Sequence, residues 1–230
     1  MKIRLGDLRR IIREALDASG GFAAAVRRAD DQASVVVYSQ GDLLAALAAE
    51  PDDLGESFYK RAVIRGYIQI AKPDQIAKLD KSCNDAWEVH SVWGPGIGEM
   101  IYNLGFALSP TGILMPDRLG VKPRAVARWE KEGGRRVKKP LDDFKHPPVN
   151  PERKNFHDRH HTDDPSDDCR MNKDGIDILN YSYEAQGGEK DMLNSMVTRH
   201  EETMTGVSSP EDVEDALFDS ARRKFREAVK

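Results

Sequence analysis

Leu5, Leu8, Ile11, Ile12, Ala15 and Leu16 recur at helical spacing, with Arg4, Arg9, Arg10 and Arg13 over much of the opposite face. The pattern predicts a basic amphipathic helix that stops at Gly20-Gly21. Such a helix packs on its own domain, docks a partner, or lies on an anionic surface. It is short and lacks aromatic anchors, which ranks membrane binding last. Further on, the apolar run Val35–Tyr38, bounded by Ser39-Gln40-Gly41, reads as a strand. Asp42 is placed to cap a helix from Leu43 to Ala49, which stops before Pro51. Ala62–Ile70, with Gly66 as a bulge position, Ala86–Val92 and the short Ile113–Met115 read as further strands. Met100–Leu108 and Arg124–Glu132 read as helices, the second ended by Gly133-Gly134. Ile176–Tyr183 reads as a short strand, and Met192–Met204 and Pro210–Val229 as helices, with Ser208 or Ser209 capping the last.

This order of elements predicts an α+β fold, a mixed and mostly antiparallel sheet flanked by helices. It divides the chain into a basic helical arm over 1–28, a core over 33–139, a polar irregular segment over 140–175, and a helical extension over 176–230. The 140–175 segment is rich in Pro, Asp, His and Asn, with few apolar anchors. No internal repeat is present.

Of the 230 residues, 39% are hydrophobic and 32% charged, the composition of one compact domain with polar flanks. The net charge of -4 makes no demand for a nucleic-acid partner. No apolar run approaches the roughly 20 residues of a membrane span, and Met1–Asp7 lacks the apolar stretch of a secretory signal. Cys83 and Cys169 lie in separate segments, so free thiols in a reducing compartment are expected rather than a disulfide.

The densest chemical signal is the run from Ala86 to Tyr102. A strand ends in Trp93-Gly94-Pro95-Gly96-Ile97-Gly98-Glu99, and a helix follows. Such a turn aims free main-chain N–H groups and the positive end of a helix at one point, an anion site suited to a diphosphate. Glycine is required there because a Cβ would hold phosphate oxygens away from the backbone. The dinucleotide fingerprint is absent, since its third glycine position is Ile101, and no Gly-Lys-Ser/Thr follows to make a Walker loop.

In this context residues 60–134 resemble the acyl-CoA-binding core of the GNAT superfamily of N-acyltransferases. Gly96-Ile97-Gly98 is similar to the family's Gln/Arg-x-x-Gly-x-Gly/Ala motif, and Gly66–Ile70 to its preceding hairpin strand. Ala125-x-x-x-Trp129-Glu130-Lys131-x-Gly133 is similar to its Ala-x-x-x-Tyr-Glu-Lys-x-Gly-Phe helix. Trp93 stands at the Gln/Arg position, Trp129 at the tyrosine that protonates the leaving thiolate, and Gly134 at the phenylalanine. The resemblance implies acetyl-CoA held by Val92, Gly96, Ile97, Gly98 and Glu99, and acyl transfer to an amine.

That chemistry needs a base for the amine and a hole for the oxyanion. Glu88 and His90, two apart on one strand, are the candidate bases; Tyr102, on the next helix, is placed to orient the cofactor. Each has an ordinary alternative: a solvated sheet face for the first two, core packing for Tyr102. Cys83 as an acyl-accepting nucleophile lacks a partnered base in view. Asp117-Arg118 is either a substrate clamp or a structural ion pair.

Between Arg118 and Lys139 stand nine Lys or Arg residues against two Glu. This run suits the CoA 3′-phosphate, a nucleic acid, an acidic protein surface, or plain solvent. His157, His160, His161, Asp163, Asp164, Asp167, Asp168 and Cys169 are ligand-type residues, but their spacing fits no closed zinc motif, so no metal is expected.

A narrower set of matches looks like a group of GNAT-like proteins of large tailed phages. It comprises Cys83-x-x-Ala86-Trp87-Glu88-Val89, Gly96-x-Gly98-x-x-x-Tyr102, Asp117-Arg118-x-x-Val121, Pro140-Leu141-Asp142-Asp143 and Asp167-Asp168-Cys169. The resemblance implies a viral or prophage origin, the cytoplasm of a bacterial host or its virions as location, and phage structural proteins or self-association as partners. The competing function is a virion or assembly protein that keeps the scaffold without the reaction.

Overall fold

The computed structural model describes residues 21–49, 52–72, 86–116, 123–137 and 182–229. The arm before residue 21, both cysteines, Asp117-Arg118 and the 140–175 segment lie outside these residues.

Among the described residues, one seven-stranded sheet organises the fold, in the order β1-β2-β3-β4-β5-β7-β6. The strands are β1 (Phe22–Arg28), β2 (Gln32–Ser39), β3 (Ile64–Ala71), β4 (Trp87–Trp93), β5 (Ile113–Pro116), β6 (Arg136–Val137) and β7 (Ser182–Glu184). The first four run antiparallel to their neighbours. β4 and β5 then pair in parallel, and β7 joins β5 and β6 antiparallel. The mixed, mostly antiparallel α+β architecture read from the sequence is therefore present. Among the described residues, no helix is long and apolar enough to cross a membrane.

Phe22–Arg28, assigned to the helical arm, is an edge strand instead. Its Ala23-Ala24-Ala25 run carries little strand preference. Here small side chains matter more than branched ones, because both sheet faces at β1 are buried. Ser182–Glu184, assigned to the extension, likewise belongs to the sheet.

Among the described residues six helices accompany the sheet: α1 (Gln40–Leu47), α2 (Leu54–Lys60), α3 (Gly98–Leu108), α4 (Pro123–Lys131), α5 (Glu189–Met204) and α6 (Pro210–Ala228). Ser39, not Asp42, caps α1, its Oγ accepting from the Asp42 amide at 3.4 Å. Asp53 caps α2, accepting from the Glu56 amide at 2.9 Å.

Alternation along the strands separates two cores. Val35, Val37, Ile68, Ile70, Trp87 and Val89 face α3 and the first turns of α5. Val36, Tyr38, Ile64 and Tyr67 face α1, α2 and α6. Helix α5 passes from one face to the other around β1. There Arg199 Nη1 donates to Phe22 O at 3.2 Å and Gln40 Nε2 donates to Arg199 O at 3.2 Å, which covers the exposed side of the edge strand.

Three glycines let α3 sink onto the sheet. A Cβ on Gly94 would lie 2.7 Å from Ile101 Cγ1, and one on Gly105 2.6 Å from Ile68 Cδ1. Gly66 is next to the bulge in β3, where Val37 opposes Gly66 and Tyr38 opposes Ile64, so that Arg65 is the extra residue. A Cβ on Gly66 would lie 2.9 Å from Ile101 Cγ1.

Candidate functional site

The end of β4 creates the site. Among the described residues, β4 pairs with β5 at Trp87, Glu88 and Val89, with Val89 opposite Pro116. From His90 to Trp93 it continues with β3 on one side and no described strand on the other. On the β3 side Ile70 opposes Val89 and Gln69 opposes Ser91, which makes His90 an inserted residue, a β-bulge at the fork.

The bulge decides where the β4 side chains go. Trp87 and Val89 face the α3 core, and Val92 packs at its margin. Trp93 faces the other core, with the Lys224 ammonium 5.8 Å above its ring. Burial between Trp93 and Tyr59 pulls the Lys224 pKa below that of a free lysine. Glu88 is 8% exposed, and its Oε2 lies 3.7 Å from His90 Nε2, within ion-pair distance but too long for a hydrogen bond. Two candidate bases thus stand together at the fork.

Beyond the fork, Gly94-Pro95-Gly96-Ile97 makes a tight turn. The Ile97 amide donates to Gly94 O at 3.2 Å, and Gly96 has φ 81°, as the third residue of a type II turn requires. Helix α3 follows at once. Its N-cap is Ile97, which has no side-chain oxygen to offer, and its first internal bond runs from the Ile101 amide to Ile97 O at 3.0 Å. The amides of Gly98, Glu99 and Met100 therefore have no acceptor among the described residues. Pro95, Gly96 and Glu99 are exposed, and nothing stands within 4 Å of where a Cβ on Gly96 or Gly98 would be. The positive end of an eleven-residue helix opens here to the surface.

Tyr102, one turn further along α3, is placed differently from Glu88 and His90. It is buried, edge-on to Trp129 with ring centroids 5.1 Å apart. Burial pushes its hydroxyl pKa up to about 12, with Arg128 pulling the other way. Trp129, 1% exposed, also lies 4.6 Å from the ring of Tyr183 on β7. An indole thus fills the space between α3 and β7, and no hydroxyl is presented from this position of α4.

Arg135 was not singled out in the sequence, yet it ties three parts of the site together. It follows α4 in a 3-10 turn, Glu132–Arg135. Its Nε pairs with Glu132 at 2.8 Å, Nη1 with Glu189 at 2.7 Å, and Nη2 donates to Asn103 Oδ1 at 2.9 Å. Turn, α5 and α3 are held by one guanidinium. Burial disfavours the Glu189 carboxylate, but the Gln186 amide, at 3.0 Å, and Arg135 outweigh it, and its pKa is lowered. In sequence Arg135 is one cation in a basic run; only the return of residues 182–189 to this place distinguishes it.

Between the first turn of α3 and α4 lies an open cleft of about 340 Å³, lined by Glu99, Arg128, Lys131, Glu132, Gly134, Arg135 and Gln186. Among the described residues, no group of three or more His, Cys, Asp or Glu side chains is arranged to hold a metal ion. Compared with protein-family models, with curated proteins and with solved structures, the chain matches none.

Proposed function

We propose that this chain is an acetyl-CoA-binding protein of GNAT-like design, of phage type, that transfers an acyl group to an amine. The observation that carries this reading is the uncapped start of α3 beside the fork of β4 and β5. Three amides without an acceptor among the described residues, and a helix dipole, offer a diphosphate what bulk water would otherwise supply. Past Val89, where no described residue of β5 pairs with β4, the fork gives the rest of a long, thin cofactor a place. Glu88 and His90 stand at that fork, where a base for the incoming amine is needed. The bulge turns main-chain groups of β4 out of the ladder, a source of donors for the thioester oxygen.

One observation favours the reading without chemistry. Trp129, which the sequence resemblance aligns with a proton-donating tyrosine, is a buried indole with Tyr102 packed against it. On that alternative the chain is a virion or assembly protein that keeps the scaffold.

Calorimetric titration with CoA and acetyl-CoA tests the first reading. The wild type is expected to bind both. Gly98→Glu, whose side chain meets open space in the protein but fills the phosphate position, is expected to keep its melting temperature and lose both ligands. No heat from the wild type at millimolar cofactor would end the proposal. Turnover of acetyl-CoA with an amine acceptor separates the enzyme from the scaffold.

A further inference from the structure

Where α6 passes the end of β4, on the sheet face opposite α3, three cations meet and two of them are paired off. Arg65, the extra residue of the β3 bulge, donates from Nη2 to Asp42 Oδ2 at 2.6 Å. Arg223 Nη1 donates to Glu56 Oε2 at 2.6 Å, and its Nε lies 3.4 Å from Glu227 Oε1. The other oxygen of Glu227 accepts from the Tyr59 hydroxyl. The third cation, Lys224, forms no ion pair among the described residues.

The fold encloses Lys224 instead. Its ammonium lies 4.8 Å from the ring centre of Tyr59 and 5.8 Å from that of Trp93. It is half-buried, whereas Lys60, Lys72, Lys131 and Lys190 are exposed. The rings favour the ammonium. Burial, then Arg65 and Arg223, disfavour it, while Glu227 acts against them. The outcome is a lysine that gives up its proton more readily than an exposed one. Desolvation beside apolar groups and the nearness of other cations are the two conditions that activate an amine as a nucleophile. The aromatic walls also suit a neutral product, and loss of the charge relieves its repulsion by two guanidiniums.

We propose that Lys224 is a modification site, acylated on Nζ by acyl thioesters. The unprotonated Nζ attacks the thioester carbonyl carbon. The N–C bond forms and the C–S bond breaks; the thiolate leaves and takes up the proton that the nitrogen gives up. An amide and a free thiol result, and no further reactant is consumed. This inference goes beyond the cofactor reading and stands apart from it, since a thioester without a diphosphate can reach the amine from solution.

The probe is S-acetyl-N-acetylcysteamine, a thioester that carries no phosphate for the α3 amides. The full chain is incubated with it in mildly alkaline buffer, and acetylation is followed residue by residue by mass spectrometry of proteolytic peptides. Lys224 is expected to be acetylated several-fold faster than Lys60, Lys131 and Lys190. In the urea-unfolded chain that preference is expected to vanish. Arg65→Gln, at an exposed site, is expected to keep its melting temperature and to slow acetylation at Lys224 alone. Acetylation of Lys224 no faster than that of the three exposed lysines would overturn the inference. So would a preference that survives unfolding, which would belong to the local sequence and not to the enclosure. An unchanged Lys224 rate in Arg65→Gln would overturn the cationic activation on which the proposal rests.

Discussion

Ile101 of α3 rests directly on the main chain of Gly66, the residue beside the bulge in β3. The helix that opens the candidate site is thus seated by the absence of a side chain two strands away from Ile113. Gly66→Ala is expected to destabilise the fold by about 1–3 kcal/mol, the usual cost of overpacking a filled core. Gly41→Ala is the control. It lies in α1 with nothing within 4 Å of the added carbon, and is expected to be neutral or stabilising by up to about 1 kcal/mol. Urea denaturation of both variants checks the pair; equal stability would mean that α3 does not press on β3.

The Tyr38 hydroxyl meets His200 Nδ1 at 2.8 Å, and His200 Nε2 meets Glu214 at 2.9 Å, so a polar chain, buried at Tyr38 and His200 and half-exposed at Glu214, joins β2, α5 and α6. Burial raises the Tyr38 pKa far above that of a free phenol, which keeps the hydroxyl protonated. Tyr38→Phe is expected to cost about 1–3 kcal/mol, because it strands an imidazole nitrogen inside the core. Denaturation of the Tyr38→Phe and His200→Leu single and double variants would give a coupling energy. Simple additivity would refute the chain.

The lowered Glu189 pKa gives stability a pH dependence of definite sign. The folded pKa lies below the unfolded value of about 4.3, so this contribution is complete above that value. It is lost as pH falls toward the folded pKa. Glu189→Gln is expected to cost about 3 kcal/mol at neutral pH, since Arg135 loses a partner in a buried place. It is also expected to flatten the loss of stability below the ordinary glutamate range. Thermal denaturation of both proteins between neutral and acid pH would show the two curves converging; parallel curves would exclude Glu189 as the source.

Trp129→Ala is expected to cost about 3–5 kcal/mol, since it empties the space between Tyr102 and Tyr183. The denaturation midpoint would fall with an unchanged slope. A loss under about 1 kcal/mol would show that the indole is not a packed element of this core.

Most elements of the core were legible because their hydrophobic runs have the length and period of what they became. Val35–Tyr38, Ala62–Ile70 and Met100–Leu108 are each recovered within a few residues. β1 was not, because alanines become strand residues only when helices close on both faces, and those helices lie far along the chain. The seven residues of α2 were also missed, for their pattern is too short to show a period. At the site, the glycine turn was readable from Pro95 and Gly96, whose backbone preferences are local. The bulge at His90 was not readable, because register is a property of two strands. The roles of Arg135 and Trp129 depend on residues 182–189 returning to α3 and α4, which nothing within either segment announces.

The passage of α5 around β1 has a consequence for how the molecule is made. Arg199 and Phe22, which bond across that edge, are separated by 177 positions. At ordinary translation speeds, on the order of ten to thirty-five seconds elapse between the two leaving the ribosome. Throughout that interval the free flank of β1 lacks the α5 contacts that cover it in the finished fold. Closure of the β1 edge therefore waits until α5 has been made, late in the synthesis of this body.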